Sequence, residues 1–317
     1  MTAARRTGRL LFRSVAVLVA VGAFAVPAMG VQPTRVFVAS TGNDANDGSR
    51  GAPKRNFQPA HDAVAAGGEV VALDTAGYGP LSINKSVSIT APAGITAFIT
   101  TTGGATAITV GTAAADKVFL RGLSINAVAR SGLPSGIQLN QADVLSVSDC
   151  TISGYANGIF VAASAAGAAV IVSDTTLQNN VNQGLLVGGV SAGPVRLVME
   201  RCSLVKNNAG VFVNASGTSG VSHRVELRDI LATGNTLNAF SLFGANNRAA
   251  LTNCTLSGNA EGAVVGSNAI IKFDACTITA NTTGVRVSTS GSLLSRTNNT
   301  LEENDTNGAF TGTFSAK

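Results

Sequence analysis

The sequence contains no tryptophan, two tyrosines and two histidines among its 317 residues. Tyr78 and Tyr155 are the only tyrosines, so the chain has few of the side chains that stack against neutral sugars, which disfavours a neutral-sugar ligand. His61 and His223 each lack an evident nucleophile partner, so neither predicts a catalytic triad. We expect both histidines to lie at the surface.

Long apolar runs are also missing. The run VAVLVAVGAFAV at 15–26 has about twelve residues, whereas a membrane span needs roughly twenty. Four arginines precede it, and Ala28-Met29-Gly30 then offers the small residues that a signal peptidase accepts. Residues 1–30 are therefore predicted to be a signal peptide, and the mature protein is predicted to be secreted or periplasmic, without a membrane span.

A strong charge excess is absent once the signal peptide is removed. The chain has 22 Lys and Arg residues against 17 Asp and Glu residues, and four of the basic residues belong to the signal. The remaining 18 basic and 17 acidic residues give about +1. A nucleic-acid partner calls for a strong basic excess, so we expect none.

The four cysteines come late, and the absence of any cysteine before Cys150 excludes a lipoprotein anchor. In an exported protein, four cysteines normally suggest two disulfides. Two of them, however, stand in nearly the same nine letters, LTNCTLSGN at 251–259 and FDACTITAN at 273–281. A repeat is the simpler explanation of their positions.

Taking Cys254 and Cys276 as an anchor, the same pattern recurs through the second and third hundred residues. Successive anchors are 22 to 28 residues apart. A period in this range predicts a stacked repeat in which each unit covers the apolar face of the next. The anchors are Leu123, Cys150, Thr175, Cys202, Ile230, Cys254, Cys276 and Asn299.

Apolar residues alternate within each unit, as in Leu145, Val147, Cys150 and Ile152. The odd step before the anchor predicts a bend between two strands, and a Gly eight or nine residues later opens another alternating run. A period of two indicates strands. Three short strands per turn predict an all-β fold, a single-stranded parallel β-helix of about nine to ten coils.

A column of asparagines stands five residues after the anchors, interrupted by Tyr155. Asn tolerates left-handed backbone, and its amide both donates and accepts, so stacked copies predict an inward ladder. The alternative is a polar binding strip. The column is Asn180, Asn207, Asn235, Asn259, Asn281 and Asn304.

The cysteines share the inward column of Thr175 and Ile230, which predicts small buried side chains. Cys254 and Cys276 fall in adjacent coils, so a disulfide between them stays open as an alternative. No His or acidic column joins them, and we expect no metal site.

Three stretches carry a resemblance to a known family: VFVASTGNDANDGS at 36–49, the segment 65–90, and the CTI-x-x-N repeats. They resemble exported right-handed β-helix repeat proteins of the pectin-lyase-like superfamily. The resemblance implies a right-handed coil whose N-terminal end is capped by a short amphipathic helix within 53–66. It divides the chain into a signal peptide at 1–30, an N-terminal strand and cap helix at 31–66, a β-helix at 67–310 and a tail at 311–317.

The resemblance implies a fold rather than an activity, because the superfamily mixes polysaccharide lyases, glycoside hydrolases, epimerases and adhesins. Relatives often carry a cysteine pair near the cap, but Gly48 and Lys54 stand in those places here. Neither the acidic cluster and base of pectate lyases nor the paired aspartates of polygalacturonases are found. No catalytic residue and no cofactor are therefore assigned.

The scattered acids favour turns. Asp149, Asp174 and Asp229 each precede an anchor in a separate coil, where a bend begins. The segment 43–48, NDANDG, lacks the alternating ligand positions of an EF-hand loop. We expect solvated turn residues in both places.

Six residues before the anchor, three coils present outward arginines, Arg196, Arg224 and Arg248, with His223 beside the middle one. Like charges stacked at about 4.8 Å repel unless acids or a ligand lie between them. A polyanionic sugar chain along the coil axis would match this column, because Arg suits carboxylates. The alternative is ordinary surface charge neutralised by Glu200 and Glu226.

A second outward column, Phe160, Leu186 and Phe212, predicts an interface for a protein partner or for self-association. Cover by a loop or by the tail at 309–317 is the alternative. Taken together, the sequence favours an exported, non-catalytic binding or structural module for acidic polysaccharide at the cell surface. A polysaccharide lyase or other carbohydrate-active enzyme acting on polyuronates stays open as the second hypothesis.

Overall fold

The computed structural model describes residue 2 and residues 32–101, 104–128, 134–162, 167–188, 193–214 and 221–315. The signal peptide predicted at 1–30 lies outside the described residues apart from Thr2. None of the helices in the described ranges is long and apolar enough to cross a membrane.

The described residues form one helix, α1, at Phe57–Ala63, and 31 strands. In chain order the strands are β1 Arg35–Val38, β2 Gly68–Ala72, β3 Ala76–Gly77, β4 Leu81–Ile83, β5 Val87–Thr90, β6 Ala97–Thr101, β7 Ile108–Gly111, β8 Lys117–Arg121, β9 Leu123–Ala127, β10 Ser135–Gln141, β11 Val144–Ser148, β12 Thr151–Ser153, β13 Asn157–Val161, β14 Ala169–Ser173, β15 Thr176–Gln178, β16 Gln183–Val187, β17 Arg196–Glu200, β18 Ser203–Val205, β19 Ala209–Asn214, β20 Arg224–Arg228, β21 Leu231–Thr233, β22 Asn238–Phe243, β23 Arg248–Thr252, β24 Thr255–Ser257, β25 Glu261–Gly266, β26 Ala269–Asp274, β27 Thr277–Thr279, β28 Thr283–Val287, β29 Gly291–Ser295, β30 Thr300–Leu301 and β31 Gly312–Thr313.

Three parallel sheets of 12, 10 and 9 strands run along the axis, and each complete coil gives one strand to each sheet. The first sheet runs β1-β2-β5-β8-β11-β14-β17-β20-β23-β26-β29-β31, the second runs from β3 to β30, and the third from β4 to β28. The nine strands of the third sheet are separated by eight steps, so the described solenoid makes about eight turns. The predicted right-handed parallel β-helix is confirmed, with slightly fewer coils than the nine to ten expected.

The alternating apolar residues face a continuous core along the axis. The anchor column is buried from Leu123 to Cys276, with no more than 2 % of any of its residues exposed. The four cysteines are free, buried thiols in this column. The structure therefore has no disulfide between Cys254 and Cys276.

Each coil bends sharply at two places, and both bends use left-handed backbone. The residue before the anchor has a φ of 50–54° in six successive coils, at Asp149, Asp174, Arg201, Asp229, Asn253 and Ala275. At the second bend the left-handed residue directly precedes the ladder asparagine, as at Asn179 and Ala280. The left-handed residue is therefore the one before each ladder asparagine and not the asparagine itself.

The Gly that opens the third-sheet strands stands where two coils approach closely. A Cβ added to Gly262 would lie 2.4 Å from the carbonyl oxygen of Gly284 in the next coil. The same contact would be 2.5 Å at Gly158 and 2.6 Å at Gly284. A side chain at these positions would force adjacent coils apart.

Helix α1 covers the N-terminal end of the core within the segment 53–66. Asn56 is the N-cap residue and has an extended backbone, and Phe57 is the first helical residue. Phe57, Ala60 and His61 are buried against the first coils. The surface position expected for His61 is wrong, because residues at i, i+3 and i+4 share the buried face of the helix.

Residues 309–315 lie at the C-terminal end of the first sheet. Strand β31 pairs with β29, and the rings of Phe273 and Phe310 are 5.3 Å apart. Lys272 lies over the ring of Phe314. The described part of the tail therefore packs on the first sheet and does not cover the outward apolar column of the third.

Candidate functional site

The arginine column lies on the outward face of the first sheet. Arg196 pairs in register with Arg224, and Arg224 with Arg248, so the three residues occupy one position of β17, β20 and β23. All three are exposed. Strands in a sheet are about 4.8 Å apart, so three positive charges follow one another along the coil axis at that step.

Glu226 is the acid within this column. Its Oε1 lies 3.6 Å from Nη2 of Arg196, and its Oε2 accepts a hydrogen bond of 3.1 Å from Arg228. The first distance exceeds that of a hydrogen bond, so Arg196 is attracted by Glu226 without being hydrogen-bonded to it. Its side chain is 67 % exposed.

Arg224 forms hydrogen bonds to residues of its own coil and of the next coil. Its Nη1 donates to the Ser222 hydroxyl, to the carbonyl oxygen of Asn246 at 2.9 Å and to that of His223 at 3.3 Å. Arg248 makes no ion pair or side-chain hydrogen bond with the part of the chain that the structure describes. The guanidinium of Arg224 is thus held by hydrogen bonds, whereas that of Arg248, in the next coil, is exposed and has no such contact with the described residues.

Glu200, expected to neutralise the column, lies elsewhere. It contacts Arg201, which also forms two hydrogen bonds of 2.7 and 2.9 Å with Asp174. These hydrogen bonds hold the pKa of Asp174 below its usual value. Of the two predicted acids, Glu226 therefore reaches the column and Glu200 does not.

His223 is buried, with 1 % of its surface exposed, so its assignment as a surface ligand-binding residue is wrong. Its Nδ1 accepts the backbone N–H of Val195 at 3.0 Å, which places the ring proton on Nε2. Burial lowers its pKa, which keeps the ring neutral. Alternation carried back from Val225 and Leu227 would have found this inward position.

The apolar column lies on the outward face of the third sheet. Phe160 pairs with Leu186, and Leu186 with Phe212, and all three are half-buried. The Phe212 ring lies 5.6 Å from that of Phe243, and the next residue of the column, Ser241, is fully buried. The column is thus partly accessible to solvent at Phe160, Leu186 and Phe212, and the next residue toward the C-terminus is buried.

The asparagine column faces inward, and its side-chain amides form hydrogen bonds with one another and with the backbone. Each side-chain N–H₂ donates to the Oδ1 of the next asparagine at 2.8 to 3.2 Å, from Asn180 to Asn304. From Asn207 onward each also donates to a backbone carbonyl, such as that of Leu177. These amides have little capacity left for a ligand, which disfavours the binding-strip alternative.

The aspartate carboxylates in the turns accept hydrogen bonds from other residues of the chain. Asp149 accepts a hydrogen bond from Arg121 at 2.9 Å, and Asp229 from Asn253 at 2.5 Å. In the loop at 43–48, Asp44 accepts from the backbone N–H groups of Arg55 and Asn56, both at 2.9 Å. No group of three or more potential metal-binding side chains occurs within the described ranges.

Residues 135–306 match the family model described as "Right handed beta helix region". These residues include the arginine, apolar and asparagine columns. No curated protein matches the sequence.

Solved structures give further matches. The pectate lyase Pel9A has a TM-score of 0.54 at 15 % identity, covering 89 % of this chain and 80 % of that one. A full-length tailspike protein 2 from an Escherichia coli O157:H7 bacteriophage has a TM-score of 0.50 at 10 % identity. It covers 75 % of this chain, which spans 39 % of the tailspike. At these identities the likeness is one of fold.

Proposed function

The chain belongs to the right-handed β-helix family, and from that premise we propose that it is an exported, non-catalytic module that binds acidic polysaccharide along its arginine column. The observation that carries the proposal is the register of Arg196, Arg224 and Arg248 on adjacent strands. A chain with a carboxylate on each sugar, laid along the coil axis, would meet a guanidinium at each step.

The charge of the column supports an anionic ligand. Among the described residues, Arg196 is the one arginine of the column that forms an ion pair, with Glu226, so the column keeps positive charge that a polyanion would neutralise. A likeness of fold to a pectate lyase agrees with a uronate ligand. Export rests on the signal peptide predicted at 1–30.

The binding role is favoured over catalysis because the described residues beside the column offer neither an unpaired carboxylate nor an accessible histidine as a general base. His223 is buried next to the column, its Nδ1 is occupied by Val195, and its Nε2 is buried. A general base must reach the proton it abstracts.

The test is binding of the mature protein, residues 31–317, to polygalacturonate and to uncharged dextran. We expect binding to polygalacturonate alone, weakening as salt screens the charges. The variant with Arg196, Arg224 and Arg248 all changed to Ala should lose affinity by about tenfold or more at low salt, equivalent to about 1.4 kcal/mol.

The matched control removes three arginine or lysine charges from earlier strands of the same sheet, at Arg35, Lys117 and Arg121. Each of these residues is exposed and pairs with an acid. The control should keep most of the affinity. Equal loss of affinity in both variants would show that net charge, and not the arginine column, determines binding. Formation of an unsaturated product that absorbs ultraviolet light would overturn the non-catalytic assignment in favour of a lyase.

A further inference from the structure

We propose that Glu226 is a built-in competitor for the ligand, which masks Arg196 and leaves Arg224 and Arg248 as the primary carboxylate-binding pair. The inference rests on the proposed function and deepens it, since it names the residue that sets the selectivity of the column. The ligand it selects is a uronate chain that brings two adjacent carboxylates.

The position of Glu226 makes it a competitor. It is the third residue of β20 and pairs with Val198 of β17, so it faces outward between Arg196 of one coil and Arg228 of its own. Its carboxylate holds Arg228 by a hydrogen bond of 3.1 Å and Arg196 by attraction at 3.6 Å. A ligand carboxylate at Arg196 would have to approach this anion closely, and the repulsion would cancel part of the attraction.

Within the part of the chain that the structure describes, the other two arginines form no ion pair with an acid. Arg224 spends one nitrogen, Nη1, on the Ser222 hydroxyl and on the Asn246 and His223 carbonyl oxygens, which fixes its direction and leaves its net charge intact. Arg248 follows it in register on β23. An ordered guanidinium loses less conformational entropy when it binds, so Arg224 is the better prepared of the three. Arg248 adds an exposed positive charge next to it in the same register.

The first experiment compares the substitutions Glu226→Gln and Glu200→Gln. Both remove one negative charge and keep the side-chain shape. Glu200 lies four residues from Arg196 along β17, about 13 Å at about 3.3 Å per residue, which exceeds the screening length of about 8 Å at physiological salt. We expect Glu226→Gln to raise the affinity for polygalacturonate about twofold to fivefold, the scale of an exposed ion pair, and Glu200→Gln to leave it nearly unchanged.

The second experiment is a double-mutant cycle with Arg196→Ala. In the wild-type background this substitution should cost less affinity than Arg224→Ala or Arg248→Ala. In the Glu226→Gln background it should cost as much as either of them. A merely structural role for Glu226 would not restore the contribution of Arg196, so the cycle separates competition from a change in folding.

The outcomes separate this inference from the proposed function. If neither the wild type nor Glu226→Gln binds polygalacturonate, the proposed function fails and takes the inference with it. If the wild type binds, but the three arginines contribute equally or Glu226→Gln matches Glu200→Gln, the inference alone is overturned. Binding gained in Glu226→Gln over a wild type that does not bind would support the competition by Glu226 and would overturn the proposed function of the native protein.

Discussion

At the scale of single residues, the asparagine ladder is the most demanding feature of the core. Asn235 is 1 % exposed, donates to the Leu204 carbonyl at 3.0 Å and to Asn259 at 2.8 Å, and accepts from the backbone and side chain of Asn207. No other side chain of this size offers both donors and an acceptor in one plane. Each asparagine therefore satisfies groups in the coils on both sides of it.

Asn235→Ala should lower the free energy of unfolding by about 2–4 kcal/mol, because it leaves the buried donors of Asn207 without a partner and opens a small cavity. The measurement is the midpoint of urea unfolding. The neighbouring substitution Asn208→Ala removes an exposed hydrogen bond to Thr236 and should change the free energy by about 0.5 kcal/mol or less. Similar losses in the two variants would show that the ladder adds no special stability.

The residue scale is also where prediction from the sequence was least complete. Alternation identified the anchor column, because inward and outward positions differ in polarity. It missed His223 and His61, whose polarity suggests the surface although their spacing from Val225 and from Phe57 places them inside. The left-handed position directly before each ladder asparagine was missed because residues such as Lys206 and Ala280 occupy it, and neither residue type signals that backbone.

At the scale of the elements, coil spacing is set where the third sheet begins. Gly262 is the second residue of strand β25 and lies against the carbonyl oxygen of Gly284, and its missing side chain allows β25 and β28 to pair. The recurrent Gly was visible in the sequence. Its physical reason was not, because the close approach involves the carbonyl of a different coil.

Gly262→Ala should destabilise the protein by about 1–3 kcal/mol, the usual cost of overpacking. Its Cβ would meet the Gly284 oxygen at 2.4 Å and the Ile278 side chain at 2.8 Å. Gly77→Ala is the matched control, since Gly77 lies on edge strand β3 with no heavy atom within 4 Å of an added Cβ. Thermal unfolding of both variants checks the prediction, and an unchanged melting temperature for Gly262→Ala would contradict it.

At the scale of the whole molecule, the solenoid presents different chemistry on different sides of one core. The first sheet carries the arginine column, the third carries the apolar column, and the bend between the second and third holds the asparagine ladder. The fold and the facing of these columns could be predicted because a period of two and a repeat of 22 to 28 residues leave few other architectures. The ion pairs could not, since Glu200 and Glu226 both face outward from the first sheet and the pattern does not show which guanidinium each of them contacts.

The thiols of the core link stability to pH for the molecule as a whole. Burial raises the pKa of Cys150 to about 12 and that of Cys202 to about 11. In the unfolded chain a thiol titrates near about 8.5. The folded form keeps these protons over a range in which the unfolded chain releases them.

The free energy of unfolding should therefore be unaffected by these thiols below about pH 8.5, and should fall as the pH rises toward 11–12. Each thiol contributes a slope of about 1.4 kcal/mol per pH unit in that window. Thr175 already occupies the same column and donates to the Ser173 carbonyl at 2.8 Å, so Thr is an accepted replacement. The double variant Cys150→Thr and Cys202→Thr should unfold like the wild type at pH 7 and be less sensitive to alkali, as urea midpoints measured from pH 7 to pH 11 would show. Parallel pH profiles for the two proteins would mean that other groups cause the alkaline loss and that these thiols ionise as readily in the folded coil as in the unfolded chain.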